Sequence, residues 1–133
     1  MAEGKAEVEA EVEKYKALNA EIQELMEKRQ KTYQQANENG MVKQELDLLD
    51  STTPVYKMIG PVLMKQDLDE ARDNVAKRLD LIQREMKRIE GTLEGKQKQQ
   101  AELGEKIMKM QQAMQARAVE AAKKAYQEGV AAR

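Results

Sequence analysis

The sequence predicts a mainly α protein, an antiparallel two-helix coiled coil joined by a single central β-hairpin. Three observations point to it. Charged residues make up 35% of the chain and aromatic ones 3%, with a mean hydropathy of -0.83 and neither Phe nor Trp. That composition is too polar for an ordinary globular core but suits long helices paired along a narrow stripe. Apolar residues recur at intervals of three and four over two long segments, the spacing of a coiled-coil seam. Between those segments lies PVYKMIGPVLMK, residues 54–65, the densest apolar run in the chain. At 133 residues the chain is expected to be one folding unit, 1–133.

The first helix is expected over 5–49. Val8, Val12, Tyr15, Ile22 and Met26 form one stripe, widened by Leu18 and Leu25. Val42, Leu46 and Leu49 continue it after an expected register shift at NENG, residues 37–40. Asn-Gly is a hairpin signal between strands, but these flanks are helix formers, so a kink or local weakening is expected instead. The helix ends before DSTTP, because Pro54 cannot continue it.

The segment 51–66 reads as a hairpin whose halves, VYKMI and VLMK, meet at Gly60-Pro61. A lone two-stranded hairpin is marginal in water. Yet Val55, Tyr56, Met58, Ile59, Val62, Leu63 and Met64 each stabilise by roughly 1.5–3 kcal/mol when buried. Apolar residues fall on both faces, and each strand has an edge without a partner. Open edges recruit other chains. The hairpin is therefore expected to be an assembly element, with Gly60 and Pro61 at its turn.

The second helix is expected over 67–117, roughly 75 Å at 1.5 Å per residue. Asp67 followed by Glu70 is a capping signature at its start. Leu68, Ala71 and Val75 lead into a seam at Leu79, Ile82, Met86, Ile89, Leu93, Lys96, Gln100, Leu103, Ile107, Met110 and Met114, alternating 3,4 without a slip. Gly91, Gly95 and Gly104 lie off these positions and are expected to face outward. With polar Lys96 and Gln100 they make the middle of the helix its expected soft part. The Ala-rich segment 118–133 is expected to be a frayed or disordered tail.

Several function classes are excluded or disfavoured. Without Cys or His there is no thiol nucleophile, no disulfide, no Cys/His metal site and no imidazole acid–base group. GTLEGK, residues 91–96, departs from a phosphate-binding loop: its glycines are one residue too close, Gln97 stands where Ser or Thr is needed, and no strand precedes it. The expectation is no catalytic residue, no cofactor and no metal. No apolar run approaches a membrane span, and no secretory segment follows Met1, which gives the expectation of a soluble, cytoplasmic protein without a membrane partner. Net charge is -1, but residues 1–50 hold 12 acids and 7 bases, and residues 84–133 hold 7 acids and 11 bases. This asymmetry favours antiparallel pairing. With no dense basic cluster and four Tyr, no nucleic-acid partner is expected.

Particular segments carry a family resemblance. EVEKY near the start, VKQELDLLD at 42–50, VYKMIGPVLMKQDLDEAR at 55–72 and KRLDLIQREMKRIE at 77–90 resemble a beta-class prefoldin subunit, over roughly residues 8–115. GPVLMKQ is the most specific part, and the single hairpin fits the beta class. The resemblance implies one arm of a heterohexamer with two alpha-class and three further beta-class prefoldin subunits, whose hairpins form a double β-barrel. It implies capture of non-native actin and tubulin chains and their transfer, without ATP, to the cytosolic group II chaperonin. It further implies that the helix ends hold the client, through Val8, Val12, Tyr15, Ile107, Met108, Met110 and Met114. Apart from Met108, which lies beside the seam, those residues also suit plain closure of the coiled coil. A homomeric coiled-coil scaffold or tether explains the heptads equally well, but gives the hairpin no role. An enzyme is the weakest reading, because the carboxylates lie on solvated helix faces.

Overall fold

The computed structural model describes Ala2 to Arg133, with side-chain surroundings from Gly4 onward. The element order is α1 (Ala2–Leu48), β1 (Val55–Ile59), β2 (Val62–Gln66) and α2 (Leu68–Ala131). By contact density the chain divides into two units, Leu25–Leu93 and a second formed by Met1–Glu24 with Glu94–Arg133.

In the unit Leu25–Leu93, α1 ends at Leu48 and the chain turns through Asp50, whose carboxylate accepts from the Thr52 N–H at 3.1 Å and the Ser51 hydroxyl at 3.3 Å. These bonds hold the Asp50 carboxyl below the usual range, the Thr52 N–H contributing most. The α2 helix starts at Leu68, with the Ala71 N–H donating to the Asp67 carbonyl at 2.9 Å. Leu68, Ala71, Ile89 and Leu93 are its buried residues. Burial of a side chain such as Ile89, 1% exposed, stabilises by about 1.5–3 kcal/mol.

The middle of α1 differs from expectation. The helix runs unbroken through Asn37, Asn39 and Gly40, and no register shift occurs there. From Leu25 the inward stripe continues at heptad intervals through Thr32, Asn39 and Leu46, with Ala36 beside it, all buried or half-buried. Polar side chains are tolerated because they bond backwards onto their own helix: Thr32 Oγ1 to the Lys28 carbonyl and Asn39 Nδ2 to that of Gln35, both at 2.8 Å.

In the second unit the start of α1 and the later part of α2 pair in opposite directions. Glu21 faces Lys96, Tyr15 approaches Gly104, Glu11 meets Lys106, and Gly4 lies against Met114. Val8 and Ile22 are buried; Leu103, Ile107, Met110 and Met114 are half-buried opposite them. The polar seam positions are paired rather than vacant: Lys96 Nζ donates to Glu21 at 2.7 Å and Gln100 Nε2 to Asn19 Oδ1 at 3.1 Å. Such half-exposed contacts contribute under about 1 kcal/mol each, but they fix which residues meet.

Two further expectations are corrected. Gly104 does not face outward: a β-carbon there would lie 3.4 Å from Tyr15 Cε2, whereas one at Gly91 or Gly95 meets nothing. The segment 118–133 is not a frayed tail, since α2 runs to Ala131. Its Ala, Glu, Lys and Gln are strong helix formers, sufficient to extend a helix already nucleated and packed upstream. Every residue after Met114 is exposed.

Candidate functional site

Two apolar surfaces stand out, the hairpin and the end where α1 begins. The hairpin is antiparallel, with Val55 opposite Gln66, Tyr56 opposite Lys65, Lys57 opposite Met64, Met58 opposite Leu63 and Ile59 opposite Val62. A two-residue connection demands positive φ at its first position, and Gly60 supplies it at φ 59. Pro61, with φ fixed near −65° and no N–H, suits the second.

Cross-strand partners share a face. One face therefore carries Val55, Ile59, Val62 and Met64 with Lys57 and Gln66; the other carries Tyr56, Met58 and Leu63 with Lys65. Six of these apolar residues are more than half exposed, from Ile59 at 52% to Met58 at 71%. The sheet has two strands, so each strand keeps one row of backbone groups unpaired among the described residues. Beneath β1 a groove is lined by Val42, Leu46, Val55, Tyr56, Ala71 and Val75. Only Val55 of the predicted hairpin set is half-buried, and Gly60 and Pro61 are exposed with the rest. Six exposed apolar side chains on one small element cannot be explained by the chain's own core.

At the other surface, a shallow groove opens between α1 and α2, lined by apolar Val8, Val12 and Met114 and by charged Lys5, Lys16, Glu9 and Glu13. Val8 is buried, and Val12, Tyr15, Ile107, Met110 and Met114 are half-buried in the helix contact. Met108 stands apart, 54% exposed and off the seam. Nearby, partial burial opposes ionisation of Glu11, but Lys106 and Lys14 at 3.5 and 3.4 Å outweigh it and lower its pKa.

No cluster of three or more metal-ligating side chains occurs among the described residues, and the 91–96 segment lies inside α2, where its N–H groups are committed to the helix. No helix among them is long and apolar enough to cross a membrane.

The family described as Prefoldin subunit matches residues 9–114 of this sequence. The chain belongs to the prefoldin subunit family. A probable prefoldin subunit 6 of Caenorhabditis briggsae is 42% identical over 122 residues, spanning 92% of this chain and 95% of that protein. Prefoldin subunit 6 of Homo sapiens is 44% identical over 108 residues, spanning 81% and 84%. Among solved structures, the prefoldin beta subunit of Thermococcus strain KS-1 superposes with a TM-score of 0.74 at 18% identity, covering 77% of this chain and 90% of that one. At that identity the likeness concerns the fold, two helices joined by one hairpin.

Against this prefoldin frame, sequence reasoning missed one tether. Arg72 spans from α2 to the end of α1, donating to the Leu46 and Leu49 carbonyls and lying 3.9 Å from Asp47 and 3.6 Å from Asp69. The last turn of α1 contains no basic residue, so Arg72 supplies the cation its carbonyls favour. A lone Arg in a charge-rich segment carries no local signal of that role.

Proposed function

We propose that this prefoldin subunit acts as one arm of a heterohexameric co-chaperone, assembling through its hairpin with two alpha-class and three further beta-class prefoldin subunits. The exposed apolar hairpin carries the reading. Its faces and edges offer what a multi-chain β-structure needs, side chains to bury and backbone groups to pair. A homomeric coiled-coil scaffold is disfavoured because α1 already fills the seam of α2, leaving no comparable stripe among the described residues for a second chain.

On this reading the complex works in the cytoplasm without nucleotide. The groove at the start of α1, with Val12 and Met114, and the exposed Met108 outside it hold non-native chains such as actin and tubulin and release them to the cytosolic group II chaperonin. Methionine suits the task because its flexible, polarizable side chain fits many shapes. Each contact is weak, so several arms acting on one client are needed, and weak contacts permit release without ATP. The test is native mass spectrometry of the purified chain, alone and mixed with alpha-class and other beta-class subunits. A hexamer formed only in the mixture supports the proposal; a stable homodimer in both samples defeats it.

A further inference from the structure

Each face of the hairpin carries one lysine, Lys57 on one and Lys65 on the other. Residues 54–66 contain neither Asp nor Glu, so the hairpin has two positive charges and no negative one. Both lysines are exposed, and neither makes an ion pair among the described residues. Resting on the reading of the hairpin as the assembly surface, we propose that these lysines select its neighbour. The neighbour they fit is a strand of a different prefoldin subunit with a carboxylate facing Lys57, and the neighbour they reject is a second copy of this chain.

The argument lies in the register. Lys57 is the middle residue of β1, Val55–Ile59. When two copies pair β1 with β1 about a two-fold axis over the full strand, the central residue meets its own counterpart. Two ammonium groups then stand directly opposite, an arrangement that destabilises a sheet. Sliding the register to separate them sacrifices backbone bonds that a five-residue strand cannot spare. Pairing β2, Val62–Gln66, with itself centres on Met64 and sets Lys65 against the counterpart of Leu63. That places an ammonium in an apolar cluster, again unfavourably. A neighbouring strand with Asp or Glu at the facing position reverses the sign at the same backbone geometry. The apolar side chains provide adhesion, and the two charges decide what adheres.

The test uses the full chain with both lysines altered. Charge reversal, K57E with K65E, is placed in equimolar competition with the unaltered chain for incorporation into complexes with the other prefoldin subunits, read by native mass spectrometry. The unaltered chain is expected to win by about fivefold at low salt, with the margin shrinking as salt rises. The neutral variant, K57M with K65M, is expected to self-associate in sedimentation velocity at concentrations where the unaltered chain does not. Equal incorporation at low salt, or self-association unchanged by the neutral substitutions, overturns the proposal. Failure of the underlying assembly reading is distinguishable: an I59D,V62D variant that still enters the complex discredits the hairpin as the assembly surface, whatever the lysines do.

Discussion

Arg72, in the first turns of α2, donates from Nε at 3.1 Å and Nη2 at 3.0 Å to the carbonyl oxygen of Leu46 in the last turn of α1. The same Nη2 reaches the Leu49 carbonyl at 3.0 Å. One planar cation thus completes a helix end where the Leu46 carbonyl otherwise accepts from the Leu49 N–H at 3.3 Å. Arg72→Met is expected to lower stability by about 1–3 kcal/mol, visible as an earlier helical melt in circular dichroism. Arg72→Lys should recover only part of it, because an ammonium cannot reproduce the guanidinium fork. Unchanged melting of the Met variant would remove the tether from the account.

Ile59 and Val62 form the cross-strand pair next to the turn, and both are more than half exposed. Replacing both with Asp should leave the helical signal of the isolated chain nearly unchanged. Within a buried β-structure the same charges cost several kcal/mol. Loss of the proposed hexamer in native mass spectrometry, with helicity retained, is the expected result.

The glycines of α2 divide into two kinds. Gly91 and Gly95 face open space, so alanine at both should raise stability by up to about 2 kcal/mol through helix propensity alone. Gly104 faces the Tyr15 ring at contact distance, so Gly104→Val should crowd it and destabilise by about 1–3 kcal/mol. Denaturant midpoints moving in the same direction for all three sites would contradict the distinction.

Glu11 and Glu85 both have lowered carboxyl pKa values. At Glu11, Lys106 and Lys14 overcome the opposing effect of burial; at Glu85 the leading cause is donation from Arg88, at 2.6 and 3.0 Å. Carboxylates with depressed folded-state pKa values contribute stability above their unfolded pKa and lose it as pH falls through the folded value. With no His in the chain, the melting temperature should be flat between about pH 6 and 8 and decline once pH drops below the usual Glu range. A marked transition near neutrality would be inconsistent with this.

On the proposed reading, Met108 and Met110 separate client contact from seam closure. Met110 is half-buried between the helices and Met108 is exposed. Met108→Glu should leave thermal stability unchanged while weakening suppression of aggregation when unfolded actin is diluted into the reconstituted complex. Met110→Glu should lower both. Full protection by the Met108 variant, followed by light scattering, would locate the client elsewhere.

The α2 seam was legible because large apolar residues mark it: from Leu79 to Met114, every position in the 3,4 series is buried or half-buried. The hairpin was legible through its β-branched residues and Gly60-Pro61. The middle of α1 was not, since its inward stripe passes through Thr32, Ala36 and Asn39, and periodicity read from hydrophobicity cannot follow a polar seam. Arg72 and Gly104 were missed for another reason. Their roles depend on Leu46 and Tyr15, which lie 26 and 89 positions away in the chain, and local pattern carries no information about such partners. The two carboxamides Asn19 and Gln100 illustrate the same limit: each alone looks like a defect in a stripe, and only their meeting at 3.1 Å makes sense of both.

The separation between paired residues also sets an order of events as the chain folds. The Leu46–Arg72 contact closes a loop of 26 positions, whereas Asn19 and Gln100 are 81 apart. Loop-closure entropy rises with the logarithm of length, so the innermost pair closes at the lowest entropic cost and each later pair shortens the loop left for the next. Folding should therefore run outward from the turn as a zipper, with Arg72→Met slowing refolding and Asn19→Ala mainly hastening unfolding in stopped-flow traces. On a ribosome the same geometry leaves the stripe around Val8 without its match until Met114 has been synthesised. A protein proposed to shield unfinished chains is itself, for most of its own synthesis, an unfinished chain with an apolar stripe exposed.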